Sequence, residues 1–427
     1  MNATKPGARR PLYAMLAANF VSFIGNEFSY IAIPWFVLET TGSAALTGVV
    51  AATSVVPLIL SGLFGGVLVD RLGYKRSAVL SDVASAVNVA LIPLLHLTVG
   101  LPFPALLALV FLGAILDAPG ATARQSLYPD LVAAAGMPLE RANSIWMIAS
   151  RTSGLLGAPL AGLLIAGFGA DFVLWIDATS FVVSSVILST LVPGKRREQR
   201  ETTSASTYFE DLAEGFRFIR GDRLIVWLLV TSTVGSFLAE PIYSVILPVL
   251  ARQEFGSALD LGFMFAALGG GSVIGAALYA VGGHRMPRRF VLIGGFLVRA
   301  LTFWIIVPIP PVWVISASIV VNAIALEPVN PLSMTILQER VPERMRGRVF
   351  GTIRAIGMAT MPAGMLLYGF LLEGIGLRAT LYVLAAVNLA LPIGMLFVPA
   401  FHDMRSPERL QSTTDGAVQP QAQGGTS

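Results

Sequence analysis

The sequence predicts an all-α polytopic membrane protein, and three observations predict it. Hydrophobic residues make up 55% of the 427-residue chain and charged residues only 13%, about half the charged share of an ordinary soluble domain. At a mean hydropathy of +0.74, too little polar surface remains to cover a water-soluble globule of this size. Twelve mainly apolar stretches of about 20 or more residues recur along the chain, each long enough to cross a bilayer as a helix. The period-two alternation of a membrane barrel is absent.

The twelve spans fall at about 13–38, 44–69, 77–98, 103–127, 144–168, 172–192, 224–249, 259–282, 289–308, 312–337, 349–373 and 378–399. Breaks such as ETTGS, DRLGYKR, VGLPFP, GFGAD, PIPP and PERMRGR separate most neighbours. Their basic residues give the orientation, because cytoplasmic loops carry an excess of Lys and Arg. With the N-terminus inside, the inner segments hold Lys5, Arg9 and Arg10, then Arg71, Lys75 and Arg76, then Lys195, Arg196, Arg197 and Arg200, and later Arg340, Arg344, Arg346 and Arg348. The outer loops hold only Arg252 and Arg378. Both termini are therefore expected in the cytoplasm of a cell-membrane protein. The net charge of +4 becomes a topology signal, and nucleic-acid binding loses its support.

One long connection divides six spans from six. This gives an N-terminal bundle at 1–192, a cytoplasmic linker at 193–223, a C-terminal bundle at 224–400 and a polar, disordered tail at 401–427. In the linker, Phe209, Leu212, Phe216 and Ile219 recur at helical spacing among charges, which predicts an amphipathic helix on the inner membrane surface.

The halves share punctuation, as an internal repeat would. Glu27, Tyr30, Pro34, Gly42 and Ser43 match Glu240, Tyr243, Pro248, Gly256 and Ser257 with one single-residue slip. Arg151, Gly154 and Pro159 match Arg354, Gly357 and Pro362 at identical spacing. Asp117 precedes Pro119, and Glu327 precedes Pro328, in spans 4 and 10.

The segment GGVLVDRLGYKR after span 2 resembles the signature loop of the major facilitator superfamily, through Gly66, Leu68, Asp70, Arg71, Gly73, Lys75 and Arg76, with Tyr74 departing from the pattern. GLLGAPLAG in span 5 is similar to that superfamily's antiporter motif through Gly154, Pro159 and Gly162, with Ala158 and Leu163 in place of glycines. WIDATSF and QERVPERMRGRVFG resemble the branch of macrolide and siderophore exporters. The resemblance covers about residues 12–400. It implies two pseudo-symmetric six-helix bundles around a cavity lined by spans 1, 4, 7 and 10, with alternating access about a site near the midplane. It also implies that Asp70 caps the N-terminus of span 11 and latches the inner gate, with Arg124 as a second partner; the bland alternative for Arg71, Lys75 and Arg76 is plain anchoring on the inner face.

Charge near mid-span is costly, by about 2.5–3.5 kcal/mol on insertion scales, so each such group needs a partner, a wet cavity or a proton. Four carboxylates stand there: Glu27, Asp117, Glu240 and Glu327. Asn26 and Tyr30 share a helical face with Glu27, Tyr243 lies one turn from Glu240, and Asn330 neighbours Glu327. A desolvated carboxylate holds a proton or a cation, but not both, which is the minimal chemistry of drug/proton antiport. The alternative is that some of these acids are neutralised by Arg151, Arg299 or Arg354. Gly154, Gly157, Pro159 and Gly162 allow close packing and a bend in span 5.

The expected function is a proton-driven exporter of small amphipathic compounds, working as a monomer without a cofactor. An uptake symporter or facilitator is the second reading and a membrane receptor or enzyme the third. No phosphate-binding GxxxxGK[ST] loop occurs. The chain lacks cysteine, and its three histidines, His96, His284 and His402, are too scattered for a metal site.

Overall fold

The computed structural model describes residues 9–194, 205–401 and 404; the side chains of residues 58, 60–68, 70, 71, 205–209 and 284 fall outside that description. The basic run 195–200 and nearly all of the tail therefore lie outside the described residues, as do the side chains of Asp70 and Arg71. Every regular element among the described residues is helical. The first half holds α1 (Arg10–Thr41), α2 (Ala44–Leu72), α3 (Tyr74–Thr98), α4 (Phe103–Ala134), α5 (Leu139–Phe168) and α6 (Ala170–Leu191). The linker contributes α7 (Ala205–Gly221). The second half holds α8 (Arg223–Phe255), α9 (Ala258–Gly282), α10 (Arg288–Ile306), α11 (Val312–Arg340) and α12 (Glu343–Leu396). Ten of these are long and apolar enough to cross a membrane. The 54-residue α12 breaks at Gly376, whose φ of 80° divides it where the sequence separates spans 11 and 12.

The repeat is visible in local chemistry. Gly42 ends α1 in the left-handed conformation that glycine tolerates best, and Ser43 caps α2 by accepting from the Leu46 N–H. Gly256 and Ser257 do the same between α8 and α9. The matched Gly–Ser pairs are thus one helix-to-helix turn used twice.

The linker helix is tied to the second half. Arg348 of α12 pairs with Asp211 and Glu214 at 2.7 and 2.5 Å, and Gly215 packs on the Arg348 carbonyl. Its apolar residues divide: Ile219 is buried, while Phe216 is exposed under the Arg220 guanidinium. The side chain of Phe209 lies outside the described residues.

The two halves meet at one end and separate toward the other. A single apolar core joins Ile31, Trp35 and Val50 of the first half to Val245, Leu250, Leu261 and Tyr368 of the second. At the opposite end each half keeps its own core, around Leu12, Leu127 and Leu188 in one and Leu228, Leu292 and Ile336 in the other. At the shared end glycines bring backbones together. A Cβ on Gly48 would lie 2.5 Å from the Met365 carbonyl oxygen and 3.0 Å from Gly369 Cα. A Cβ on Gly162 would lie 2.6 Å from the Ala258 carbonyl oxygen and 2.8 Å from Gly262 Cα. Glu373 closes the seam: its Oε2 accepts from Ser43 Oγ at 3.1 Å and from the backbone N–H groups of Ala44 and Ala45 at 3.0 and 3.3 Å. A carboxylate of the second half thus caps a helix N-terminus of the first, where the helix dipole favours negative charge.

Candidate transport site

The four mid-span acids divide into two kinds. Glu27, on α1, lies against α5, where a Cβ on Gly157 would come within 2.6 Å of Glu27 Cβ and one on Gly154 within 3.6 Å of its Oε1. Two members of the span-5 glycine motif therefore make room for Glu27, and Gly162 makes room for α9; Pro159 lies between them, its Cα 3.4 Å from a Cβ on Gly262. Glu240, on α8, is half-buried and precedes Pro241, after which the helix widens into a π turn over Ile242–Ile246. Neither acid has an ion-pair partner within 4.0 Å among the described residues. Tyr30 is close enough to feel both carboxylates and lies edge-on to Phe265 of the other half, with ring centroids 6.0 Å apart. Tyr30 is 41% exposed, and Asn26 is half-buried.

The other two acids are paired. Glu327 stands at the turn that interrupts α11 and meets Arg151 of α5 at 3.5 Å, an ion pair between the halves. The Arg151 side chain is 66% exposed, so water screens the pair. Asn330, one turn on, is exposed. Asp117 lies 3.6 Å from Arg124 on its own helix. Arg124 also binds Asp82 of α3 at 2.7 Å, and Asp82 accepts from Ser184 Oγ at 2.7 Å. Arg124 is thus engaged inside the first half in this structure, and the side chain of Asp70, its expected partner at the inner gate, lies outside the described residues. Asp82, fully buried, is an intramembrane acid that sequence reasoning missed. Its signal was present in the SDVAS segment of span 3, a charged residue two turns past the basic loop.

Asp177, in α6, is buried and accepts from Ser180 at 3.2 Å and from Ser29 of α1. It ties α6 to α1 through Ser29. In the signature loop, Gly73 takes φ 82° between α2 and α3, and Lys75 Nζ donates to the Ser189 carbonyl at 2.8 Å. Arg76 is exposed. Gly66, Asp70 and Arg71 lie on the later turns of α2. Tyr243 sits in the π turn and shares a small cavity with Arg299. No cluster of three or more metal-binding side chains occurs among the described residues.

This arrangement defines a two-bundle membrane transporter, with an ionisable gap between halves that are joined at one end. The chain belongs to the major facilitator superfamily: residues 5–417 match its family described as transmembrane secretion effector. It is 30% identical over 408 residues to the multidrug efflux pump Tap of Mycolicibacterium fortuitum, covering 95% of this chain and 98% of that protein. It is 27% identical over 389 residues to the enterobactin exporter EntS of Salmonella typhimurium, covering 88% of each. Among solved structures, the nucleoside transporter NupG shares the fold with a TM-score of 0.75 at 14% identity, covering 92% of this chain and 99% of that one. The protein is a multi-pass membrane transporter and not an enzyme, and its family works without a cofactor.

Proposed function

We propose that the protein exports small amphipathic organic cations from the cytoplasm in exchange for protons, by alternating access of two six-helix bundles. The chain crosses the cell membrane twelve times, α2 and the two parts of α12 supplying three of the crossings. The bundles are 1–192 and 224–400, joined by the linker at 193–223. The basic residues put both termini and the separated end of the bundles in the cytoplasm, so the conformation is inward-open. In the outward-open state the Asp70 loop latches the inner gate. The transporter acts as a monomer. Its relatives that carry multidrugs and a siderophore agree with an amphipathic substrate.

One observation carries this reading: among the described residues Glu27 and Glu240, in opposite halves, have no ion-pair partner within 4.0 Å, and Tyr30 lies within electrostatic reach of both. Two unpaired carboxylates in a membrane interior call for protons or for a cation. Competition between these two occupants is sufficient for exchange. Tyr30 and Phe265 offer aromatic faces to the apolar part of such a ligand. The test is ethidium uptake into inverted vesicles with an acid interior. Uptake should collapse on adding an uncoupler and fall to background in the Glu27→Gln/Glu240→Gln double variant. Uptake that survives either change rules out proton coupling through these acids, and uptake in the opposite direction favours the symporter reading.

A further inference from the structure

Glu240 has a cation beside it that plays no part in the site so far. Arg299 of α10 is only 5% exposed. Its Nη1 donates to the Gly235 carbonyl of α8 at 3.3 Å, whereas its Nη2 is buried without a hydrogen-bond partner among the described residues. The guanidinium borders a cavity of about 30 Å³, lined also by Tyr243, Thr302, Ser318 and Asn322, which is room for about two water molecules. A buried guanidinium with an idle nitrogen is costly unless an anion or water can reach it. Glu240 is the acid within its electrostatic reach.

The backbone of α8 is weakest at the same place. Pro241 has no N–H to donate, and the Ile242 N–H turns to the Ala239 carbonyl. The Leu238 carbonyl loses its usual helical donor, and the buried hydroxyl of Tyr368 on α12 donates to it instead, at 3.2 Å. The π turn follows at once, a form frequent at functional sites in helices. Arg299 and Tyr368 thus both hold the stretch of α8 just before Glu240, at the Gly235 and Leu238 carbonyls.

We infer that Arg299 is a positioning residue that serves as the internal counter-ion of Glu240, exchanging the Gly235 carbonyl for the carboxylate when Glu240 ionises. With Glu240 protonated, the guanidinium rests on Gly235. When the proton leaves to water at the open end, Nη2 takes the carboxylate, and the pull falls on the bent stretch of α8. Proton loss is thereby converted into a change of helix shape. The inference rests on Glu240 being one of the proton-exchanging acids of the proposed function. The groups facing Glu240 are Tyr243 on its own helix, Tyr30 and through it Glu27 from α1, Arg299 from α10, and Tyr368 beside Arg299 from α12.

The test is an infrared pH titration of the protonated-carboxyl band of the purified transporter in nanodiscs, with the Glu240 share assigned by its loss in Glu240→Gln. Removing a nearby cation should raise the midpoint in Arg299→Gln by about one pH unit or more, and Arg299→Lys should restore it. The Glu240→Gln/Arg299→Gln double variant leaves neither charge unpaired and serves as the folding control; the carboxyl band that remains in it should titrate as in Glu240→Gln alone. An unshifted midpoint in Arg299→Gln overturns the inference, as does a Glu240 band that does not titrate. Ethidium transport driven by a pH gradient, measured on the same preparations, separates the two claims. A shifted midpoint without such transport in the wild type rejects the proposed function and keeps the counter-ion.

Discussion

The two ends of the molecule hold its halves by different chemistry. At the joined end, contact is made by backbone against backbone: Gly48 against Gly369, Gly162 against Gly262, and the Glu373 carboxylate on the first turn of α2. Toward the separated end a screened ion pair, Arg151–Glu327, spans the halves, and stronger ionic contacts stay within a half, as in Arg124–Asp82 and Arg288–Glu339. Close steric fit tolerates no intrusion, whereas solvated ion pairs break cheaply. If both ends open in turn, as proposed, the joined end should be the one most sensitive to added volume.

The largest expected effect follows from that contrast. Gly48→Val and Gly162→Val each drive a side chain into a backbone carbonyl that cannot swing aside. Overpacking typically costs 1–3 kcal/mol, and about 3 kcal/mol against the closed seam is roughly 150-fold in population. The chain has no cysteine, so Val249→Cys, buried in the shared core, gives a clean reporter. Its maleimide labelling should accelerate by one to two orders of magnitude in either valine variant, with ethidium transport lost. Unchanged labelling would mean that the glycine contacts do not hold this end closed.

The next effect tests the seam's charge. Glu373→Gln keeps the shape but removes the negative charge at the α2 N-terminus. Dipole and charge-assisted hydrogen-bond terms together suggest about 1–2 kcal/mol, or roughly 5- to 30-fold faster Val249→Cys labelling. Ser43→Ala removes one of the three donors and also the cap on the Leu46 N–H, so it should speed labelling while leaving the Glu373 charge in place.

These contacts also mark where sequence reasoning stops. The helices were legible because apolar length is a local property, and the Gly42–Ser43 and Gly256–Ser257 turns because cap residues announce themselves. The mid-span acids were legible because charge is conspicuous in an apolar stretch. What charge alone does not reveal is pairing. Asp82 and Arg124 are 42 residues apart, and nothing in either segment names the other. Glu373 binds backbone N–H groups 328 and 329 residues away, which carry no side-chain signature at all. The repeat misleads in one respect: Arg151 meets Glu327, while its counterpart Arg354 has no ion pair within 4.0 Å among the described residues. Likewise a Cβ on Gly154 meets Glu27, and one on Gly357 meets nothing within 4 Å. Equivalent residues share local structure but not neighbours, because local structure follows from nearby sequence and neighbours do not.

The smallest expected effect concerns the Arg151–Glu327 pair, and it sharpens the comparison from the other side. At 3.5 Å, with 66% of the arginine side chain exposed, it resembles surface pairs worth about 0–1 kcal/mol. Glu327→Gln or Arg151→Gln should therefore change Val249→Cys labelling by less than roughly fivefold. A double-mutant cycle should give a coupling within that range and one that falls as salt is raised, since exposed pairs are screened. Ethidium transport should depend far less on Glu327 than on Glu27 or Glu240, because its charge already has a partner. If Glu327→Gln alone abolished transport at unchanged labelling, the division of the four acids into paired and unpaired kinds would have to be redrawn, with Arg151 as a mobile group that releases Glu327 during the cycle.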